Sequence, residues 1–180
     1  MNVIRTEIHD VLILQPTVYS DERGWFMESF NEASFYQHLD TLGISRPKPF
    51  VQDNHSCSSK GVLRGLHFQA PPYEQGKLVR VTRGAAFDVA VDIRKDSPTY
   101  LKWVGVRLDC ISNFMLWIPE GFAHGFLALE DDTHFLYKTS DYYNKASEGS
   151  LLWNDPLLGI QWPVCDTYIV SAKDCEAPTL

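Results

Sequence analysis

The sequence predicts an all-β domain, a sandwich or a closed barrel. Three observations carry this. Nine short runs rich in Val, Ile, Phe, Tyr and Trp recur along the chain, with Gly, Pro, Asp or Asn between them. Many short strands at regular spacing are the signature of sandwiches and barrels. One run, AFDVAVDI (Ala86–Ile93), alternates cleanly: Phe87, Val89 and Val91 fall on one face, and Ala86, Asp88, Ala90 and Asp92 on the other. Helical periodicity is clear in a single place.

In chain order, the first runs are VLILQPTVYS (Val11–Ser20) and GWFMESF (Gly24–Phe30), both read as strands. The helix follows, from Glu32 to about Leu42. Asn31 is a good N-cap and Glu32 suits the first turn. Phe35, Leu39 and Leu42 recur at i, i+4 and i+7, and Gly43 is the stop. Strands are then expected at VLRGLHFQ (Val62–Gln69), KLVRVTRG (Lys77–Gly84), AAFDVAVDI (Ala85–Ile93) and KWVGVRLD (Lys102–Asp109). Three more follow at FMLWIP (Phe114–Pro119), HGFLALE (His124–Glu130) and THFLYKTSDYY (Thr133–Tyr143). The turn-rich, aromatic stretch GSLLWNDPLLGIQWP is expected to wrap the barrel, and SAKD (Ser171–Asp174) to open a short helix. The small residues beside Asp88 mark an inner face that leaves space.

The chain of 180 residues is read as one domain, 1–180. It is long enough to bury roughly 70% of its unfolded surface. Its net charge of −7, without any block of like charge, disfavours a general nucleic-acid binder, which needs a basic face. A small anionic ligand fits, because a few local cations hold a phosphate. Cys57, Cys110, Cys165 and Cys175 form no C-x-x-C pair and are read as free thiols in a reducing compartment. The N-terminal MNVIRTEIHD has no apolar h-region, and no apolar run approaches a membrane span. A cytoplasmic location is expected.

The chemistry begins in GVLRGLHFQ (Gly61–Gln69), an apolar run that carries Arg64 and His67. A buried charge is costly unless paired. Strict alternation places residues 64 and 67 on opposite faces, so both can line one polar cavity only if the strand breaks its period, and Gly65 is the place for a bulge. His67 is either a satisfied core histidine or a general base. Tyr137 is a barrel aromatic unless it faces the same cavity, where its phenol could act as an acid. Asp174 closes the S-x-x-[DE] capping pattern of Ser171–Asp174, or else orients the His67 imidazole as carboxylates do in histidine dyads. Asp88 competes for that second role, and spacing alone does not choose between them. Arg23 in DERG, Lys77 in QGK and Lys173 are single cations, each by itself a solvated side chain.

IPEGFAHGF (Ile118–Phe126) contains P-x-G-x-x-H, from Pro119, Gly121 and His124. This resembles the second motif of the cupins, small jelly-roll β-barrels. Their first motif supplies H-x-H for a metal. Here the matching place reads His67-Phe68-Gln69, one imidazole being replaced by Phe, so two histidines remain and no metal is expected.

Taken in order, DERGWFMESFN, FVQDNHS, VLRGLHFQ, QGKLVR, FDVAVDIRKDSPTY, LWIPEGFAHGF, FLYKTSDYY, SEGSLLWND and SAKD resemble the dTDP-4-dehydrorhamnose 3,5-epimerase family, a metal-free branch of the cupin-like barrels. The resemblance runs from about residue 3 to 178. It implies a cupin-like jelly-roll barrel that epimerises dTDP-4-dehydro-6-deoxy-D-glucose at carbons 3 and 5. The product is dTDP-4-dehydro-L-rhamnose, on the way to dTDP-L-rhamnose for cell-surface carbohydrate such as O-antigen, and no cofactor is needed. It implies His67 as proton acceptor with Asp174 as partner, Tyr137 as proton donor and Lys77 beside the developing enolate. Arg23, Glu28, Gln52, Asn54, Arg64, His124, Glu148 and Lys173 match substrate-holding positions, and Tyr143 an aromatic that stacks on thymine. The resemblance further implies a homodimer whose N-terminal strands reach across, so that Arg23 and Glu28 serve the neighbour's site. The stretch APPYEQGK ahead of Lys77 departs from the family pattern in length and apolar content.

Three alternatives stand beside this reading. A single-carbon epimerase can keep the same His, Asp and Tyr. A silent sugar-nucleotide binder needs no opposed acid and base. A metal-dependent cupin oxygenase needs the ligand that Phe68 is read as replacing.

Overall fold

The computed structural model describes all 180 residues. Fourteen strands, two α-helices and one 3-10 turn follow one another along the chain. The strands are β1 (Asn2–Arg5), β2 (Leu12–Gln15), β3 (Val18–Asp21), β4 (Gly24–Met27), β5 (Gln52–Ser58), β6 (Val62–Gln69) and β7 (Lys77–Arg83). They continue with β8 (Ala85–Asp92), β9 (Trp103–Asp109), β10 (Met115–Ile118), β11 (Phe122–Ala128), β12 (Thr133–Thr139), β13 (Glu148–Ser150) and β14 (Ile169–Val170). Helix α1 is Glu32–Leu42 and α2 is Ala172–Cys175, and the 3-10 turn spans Lys145–Ser147.

Two sheets face each other as a jelly-roll barrel. One has the order β1-β2-β10-β7-β12-β5 and the other β13-β6-β11-β8-β9, with β14 added in parallel to β6. The barrel interior is apolar at one end. Val79, Val81, Leu116, Ile118 and Phe135 of the first sheet meet Ala86, Ala90, Leu108, Phe122 and Phe126 of the second. The alternation of β8 is realised in full: Ala86 and Ala90 point inward, while Val89 and Val91 join the outer cluster.

Each sheet is covered on its outer face. Helix α1 lays Phe35 and Leu39 on Leu12, Leu14, Leu78, Met115 and Trp117. It starts and stops as expected: Asn31 accepts from the Ser34 N–H, and Gly43 takes φ +71°. Leu151, Leu158 and Ile160 of the C-terminal stretch cover Leu66, Val89, Val91 and Ala123, so this stretch does wrap the barrel. No helix is long and apolar enough to cross a membrane.

Several boundaries differ from the sequence reading. VLILQPTVYS is two strands parted at Pro16, because the first pairs in the barrel while the second turns out into a two-stranded hairpin with β4. Strand β5 was not expected. Its sequence, QDNHSCS, has no apolar face because its inner side lines a polar cavity rather than the core. The strands β1, β13 and β14 were not expected either.

Candidate active site

Strand β6 sets the geometry. Arg64 pairs with Phe126 of β11 and His67 with His124, so three steps on β6 match two on β11. The extra residue makes a bulge at Gly65-Leu66. Gly65 has φ +120°, and a Cβ there would lie 2.6 Å from the Gly125 Cα and 2.7 Å from the His124 carbonyl oxygen. Only glycine satisfies both constraints. The bulge turns Arg64 and His67 into one cavity of about 700 Å³ between the sheets.

His67 Nε2 lies 2.6 Å from Asp174 Oδ1. A carboxylate beside Nε2 holds the proton there, which leaves the lone pair on Nδ1, and Nδ1 has no protein partner. Asp174 is buried, and its other oxygen takes the Gly65 N–H at 3.4 Å. Ser171 does cap α2 by accepting from the Asp174 N–H at 3.1 Å. The capping pattern is thus half-used: the hydroxyl caps, and the carboxylate turns to His67. Asp88 is engaged elsewhere, its Oδ2 lying 2.8 Å from His124 Nε2. The structure therefore pairs His67 with Asp174 and not with Asp88.

Lys77, at the start of β7, forms the floor. Its side chain is buried, and burial lowers its pKa to about 8 against an upward pull from Asp88. Its Nζ lies 3.4 Å from the His67 carbonyl oxygen. Asp88 Oδ1 is buried without a hydrogen-bond partner. Burial also lowers the His124 pKa, opposed by Asp88, so this imidazole tends to stay neutral. Phe126 and Phe135 stack at 4.0 Å beside it and form an apolar wall. Tyr137 comes from β12 on the opposite sheet to His67. Burial raises its pKa, with Arg64 opposing, so the phenol keeps its proton.

Polar groups line the rim. Arg64 Nε donates to Ser58 Oγ at 3.2 Å and has no carboxylate partner. Lys173 Nζ lies 2.7 Å from Glu148 Oε1, and the Tyr143 hydroxyl donates to Glu148 Oε2 at 3.1 Å. The bond to Lys173 is the main cause that lowers the Glu148 pKa. Gln52 donates to Asn54 Oδ1 at 3.0 Å and accepts from the Tyr143 N–H at 3.2 Å. One cavity thus gathers Gln52, Asn54, Arg64, His67, Lys77 and His124, together with Tyr137, Tyr143, Glu148, Lys173 and Asp174.

A dyad, a buried lysine and an opposed phenol in a jelly roll make up a constellation that can be compared with known proteins. The family model described as dTDP-4-dehydrorhamnose 3,5-epimerase matches residues 5–180. The chain belongs to this family. It is 57% identical over 174 residues to the dTDP-4-dehydrorhamnose 3,5-epimerase of Shigella flexneri, covering 97% of this chain and 93% of the relative. A Legionella pneumophila structure of dTDP-6-deoxy-D-glucose-3,5-epimerase RmlC, in complex with dTDP-4-keto-L-rhamnose, superposes with a TM-score of 0.91. It is 48% identical, and the match covers 99% of this chain and 92% of that one. The Streptomyces bikiniensis 3'-monoepimerase ChmJ, in complex with dTDP-quinovose, is 35% identical at a TM-score of 0.88. That match covers 97% of this chain and 86% of ChmJ.

Within this epimerase fold, two expected residues stay outside the cavity of their own chain. Arg23 is exposed on the β3–β4 hairpin and pairs with Asp21. Glu28 accepts from Asn31 Nδ2 at 3.2 Å, beside the start of α1. Both were expected to hold substrate in the neighbour's site, and neither lines the cavity of its own barrel. The donor set does not fit the metal site of other cupins, since no three His, Cys, Asp or Glu side chains cluster where they could hold an ion. The spacing is also corrected here. The second histidine of H-x-H falls at Gln69, not at Phe68, and Gln69 is buried with its amide bound to main chain. The sequence reading missed Gln69, Gln75, Ser58, Phe126 and Phe135. Of these, only Gln69 had a signal, through that spacing.

Proposed function

We propose that the chain epimerises dTDP-4-dehydro-6-deoxy-D-glucose at carbons 3 and 5 to dTDP-4-dehydro-L-rhamnose, in dTDP-L-rhamnose biosynthesis. One observation carries the mechanism: a His67–Asp174 dyad and a protonated Tyr137 on opposite walls of one cavity, with the buried Lys77 on its floor. The carbon 4 ketone acidifies the protons on its neighbours. Nδ1 of His67 removes one, and Asp174 stabilises the imidazolium that forms. The Lys77 ammonium meets the developing enolate oxygen, a charge that a fixed, water-poor cation stabilises well. Tyr137 returns a proton to the opposite face, which inverts the carbon. Solvent restores both groups, and the cycle repeats at the second carbon. Arg64 holds the diphosphate, Tyr143 stacks on the thymine, and Gln52, Asn54, His124, Glu148 and Lys173 hold the rest of the ligand.

The dimer is part of this proposal. The β3–β4 hairpin leaves Val18, Tyr19, Trp25 and Phe26 exposed. Strand β5 ends its sheet with a free edge. A hairpin reaching across to the neighbour would cover these apolar side chains and deliver Arg23 and Glu28 to the neighbour's cavity. Free thiols and the absence of an apolar spanning helix fit a cytoplasmic enzyme.

The likeness to a 3'-monoepimerase keeps a second reading in play, inversion of one carbon only. Turnover of dTDP-4-dehydro-6-deoxy-D-glucose in deuterated buffer separates the two. The double epimerase labels carbons 3 and 5 and gives the L-rhamno product, at a rate that chelator leaves unchanged. One labelled carbon supports the single-site reading, and no label at either carbon overturns the enzymatic one.

A further inference from the structure

Gln69 ends β6, two residues beyond His67, and is 7% exposed. Its carboxamide hydrogen-bonds to main chain alone. Nε2 donates to the Tyr73 carbonyl at 2.5 Å and to the Tyr142 carbonyl at 3.2 Å. Oε1 accepts the Asn144 N–H at 2.6 Å. One amide therefore bonds to main chain on both sides of Tyr143 and also grips the 70–76 loop that leads to Lys77. The grip extends further. Asn144 Oδ1 accepts from the Ala146 and Ser147 N–H groups, which shapes the 3-10 turn that runs into Glu148. Two other glutamines support the same segment: Gln52 takes the Tyr143 N–H, and Gln75 donates to the Asp141 carbonyl at 2.8 Å.

We propose that Gln69 is the positioning residue of the nucleotide end of the cavity, holding the 142–144 main chain against the 70–76 loop so that Tyr143 and Glu148 stand ready for the ligand. This rests on the reading that the cavity takes a dTDP-sugar. The physical reason is the chemistry of a buried carboxamide. It offers two donors and an acceptor at once, so it can join two carbonyls and an N–H that no apolar residue can satisfy. Removing it strands three main-chain groups, and the segment must move to find water. The loop carries no catalytic group except through its junction with Lys77, so the effect falls on binding.

The test uses Gln69→Leu, close in volume, and Gln69→Met, which keeps the length of the side chain without its donors and acceptor. Parent and variants are titrated with dTDP and assayed for epimerisation. The parent should bind dTDP; if it does not, the dTDP reading fails and Gln69 is not to blame. Given parent binding, Gln69→Leu should weaken dTDP by at least about tenfold while kcat at saturation stays within about threefold. Gln69→Met should weaken dTDP as the leucine variant does, and it carries the test alone if the leucine variant does not fold. In a Tyr143→Ala background the Gln69→Leu change should add less than about twofold, because residues acting through one another are not additive. Parent-like dTDP affinity in the variants overturns the proposal. So does a fall in kcat with KM unchanged, or a full extra loss in the Tyr143→Ala background.

Discussion

Arg64→Ala separates a ligand cation from structural glue. Arg64 has one protein hydrogen bond, to Ser58 Oγ at 3.2 Å, and no ion pair. Its truncation therefore removes about 0.5–1.5 kcal/mol of net hydrogen-bond free energy. For a chain of this size that lowers the melting temperature by about 2–4 °C per kcal/mol. An arginine buried in an ion pair behaves differently, since breaking such a pair removes about 3–5 kcal/mol.

The loss should appear in binding. A charge-assisted contact to phosphate contributes about 1.5–3 kcal/mol, and 2 kcal/mol is about thirtyfold in Kd. At dTDP a hundred times the parent Kd, ligand binding stabilises the parent by about 2.7 kcal/mol. The same concentration stabilises a variant binding thirtyfold more weakly by only about 0.9 kcal/mol. Thermal melts with and without dTDP read both quantities. The variant should melt within a few degrees of the parent when free and keep about a third of the parent's dTDP shift. A large drop in the free melt with the shift preserved would refute the reasoning and make Arg64 a core residue.

Two further predictions concern the chemistry. His67→Ala should abolish both solvent exchange and turnover, while Tyr137→Phe should keep exchange at the sugar carbons and lose net inversion; a positioned acid or base is worth about 10²–10⁴-fold. Equal loss of exchange in both variants would show that Tyr137 is not simply the proton donor. Lys77 should set an alkaline limb in kcat/KM near pH 8, because its ammonium loses its proton there and the enolate loses its cation. The sign for stability is opposite: above pH 8 and below the ordinary lysine value, the unfolded chain holds a proton that the native chain has released, so this group's contribution to stability rises with pH. A falling rate in a protein that is not melting identifies the lysine, and an active Lys77→Arg variant that keeps the same limb would assign it to another group.

The barrel was legible because its strands bury one face each and so alternate, as Phe87, Val89 and Val91 do against Ala86 and Ala90. Helix α1 was legible for a local reason, since Asn31 and Gly43 end it with their own backbone and side-chain chemistry. Strand β5 was hidden because hydrophobic periodicity reports burial in apolar surroundings. Gln52, Asn54 and Ser56 face a polar cavity, so the strand pairs fully with β12 yet shows no apolar face. The hairpin that holds Arg23 pairs β3 with β4 outside both barrel sheets, a placement that its own alternation does not report.

The site shows the same division. Gly65 was readable as a bulge because Arg64 and His67 had to share a cavity, and the β6–β11 register answers that requirement. The choice between Asp88 and Asp174 was not readable, because both carboxylates have a histidine to serve. The topology decides it. Strand β8 lies beside β11, so Asp88 meets His124, whereas α2 follows β14, which runs parallel to β6, so Asp174 arrives at His67 from 107 residues further along the chain. A capping pattern in sequence thus described the hydroxyl of Ser171 correctly and said nothing of the carboxylate, whose partner only long-range strand order could supply.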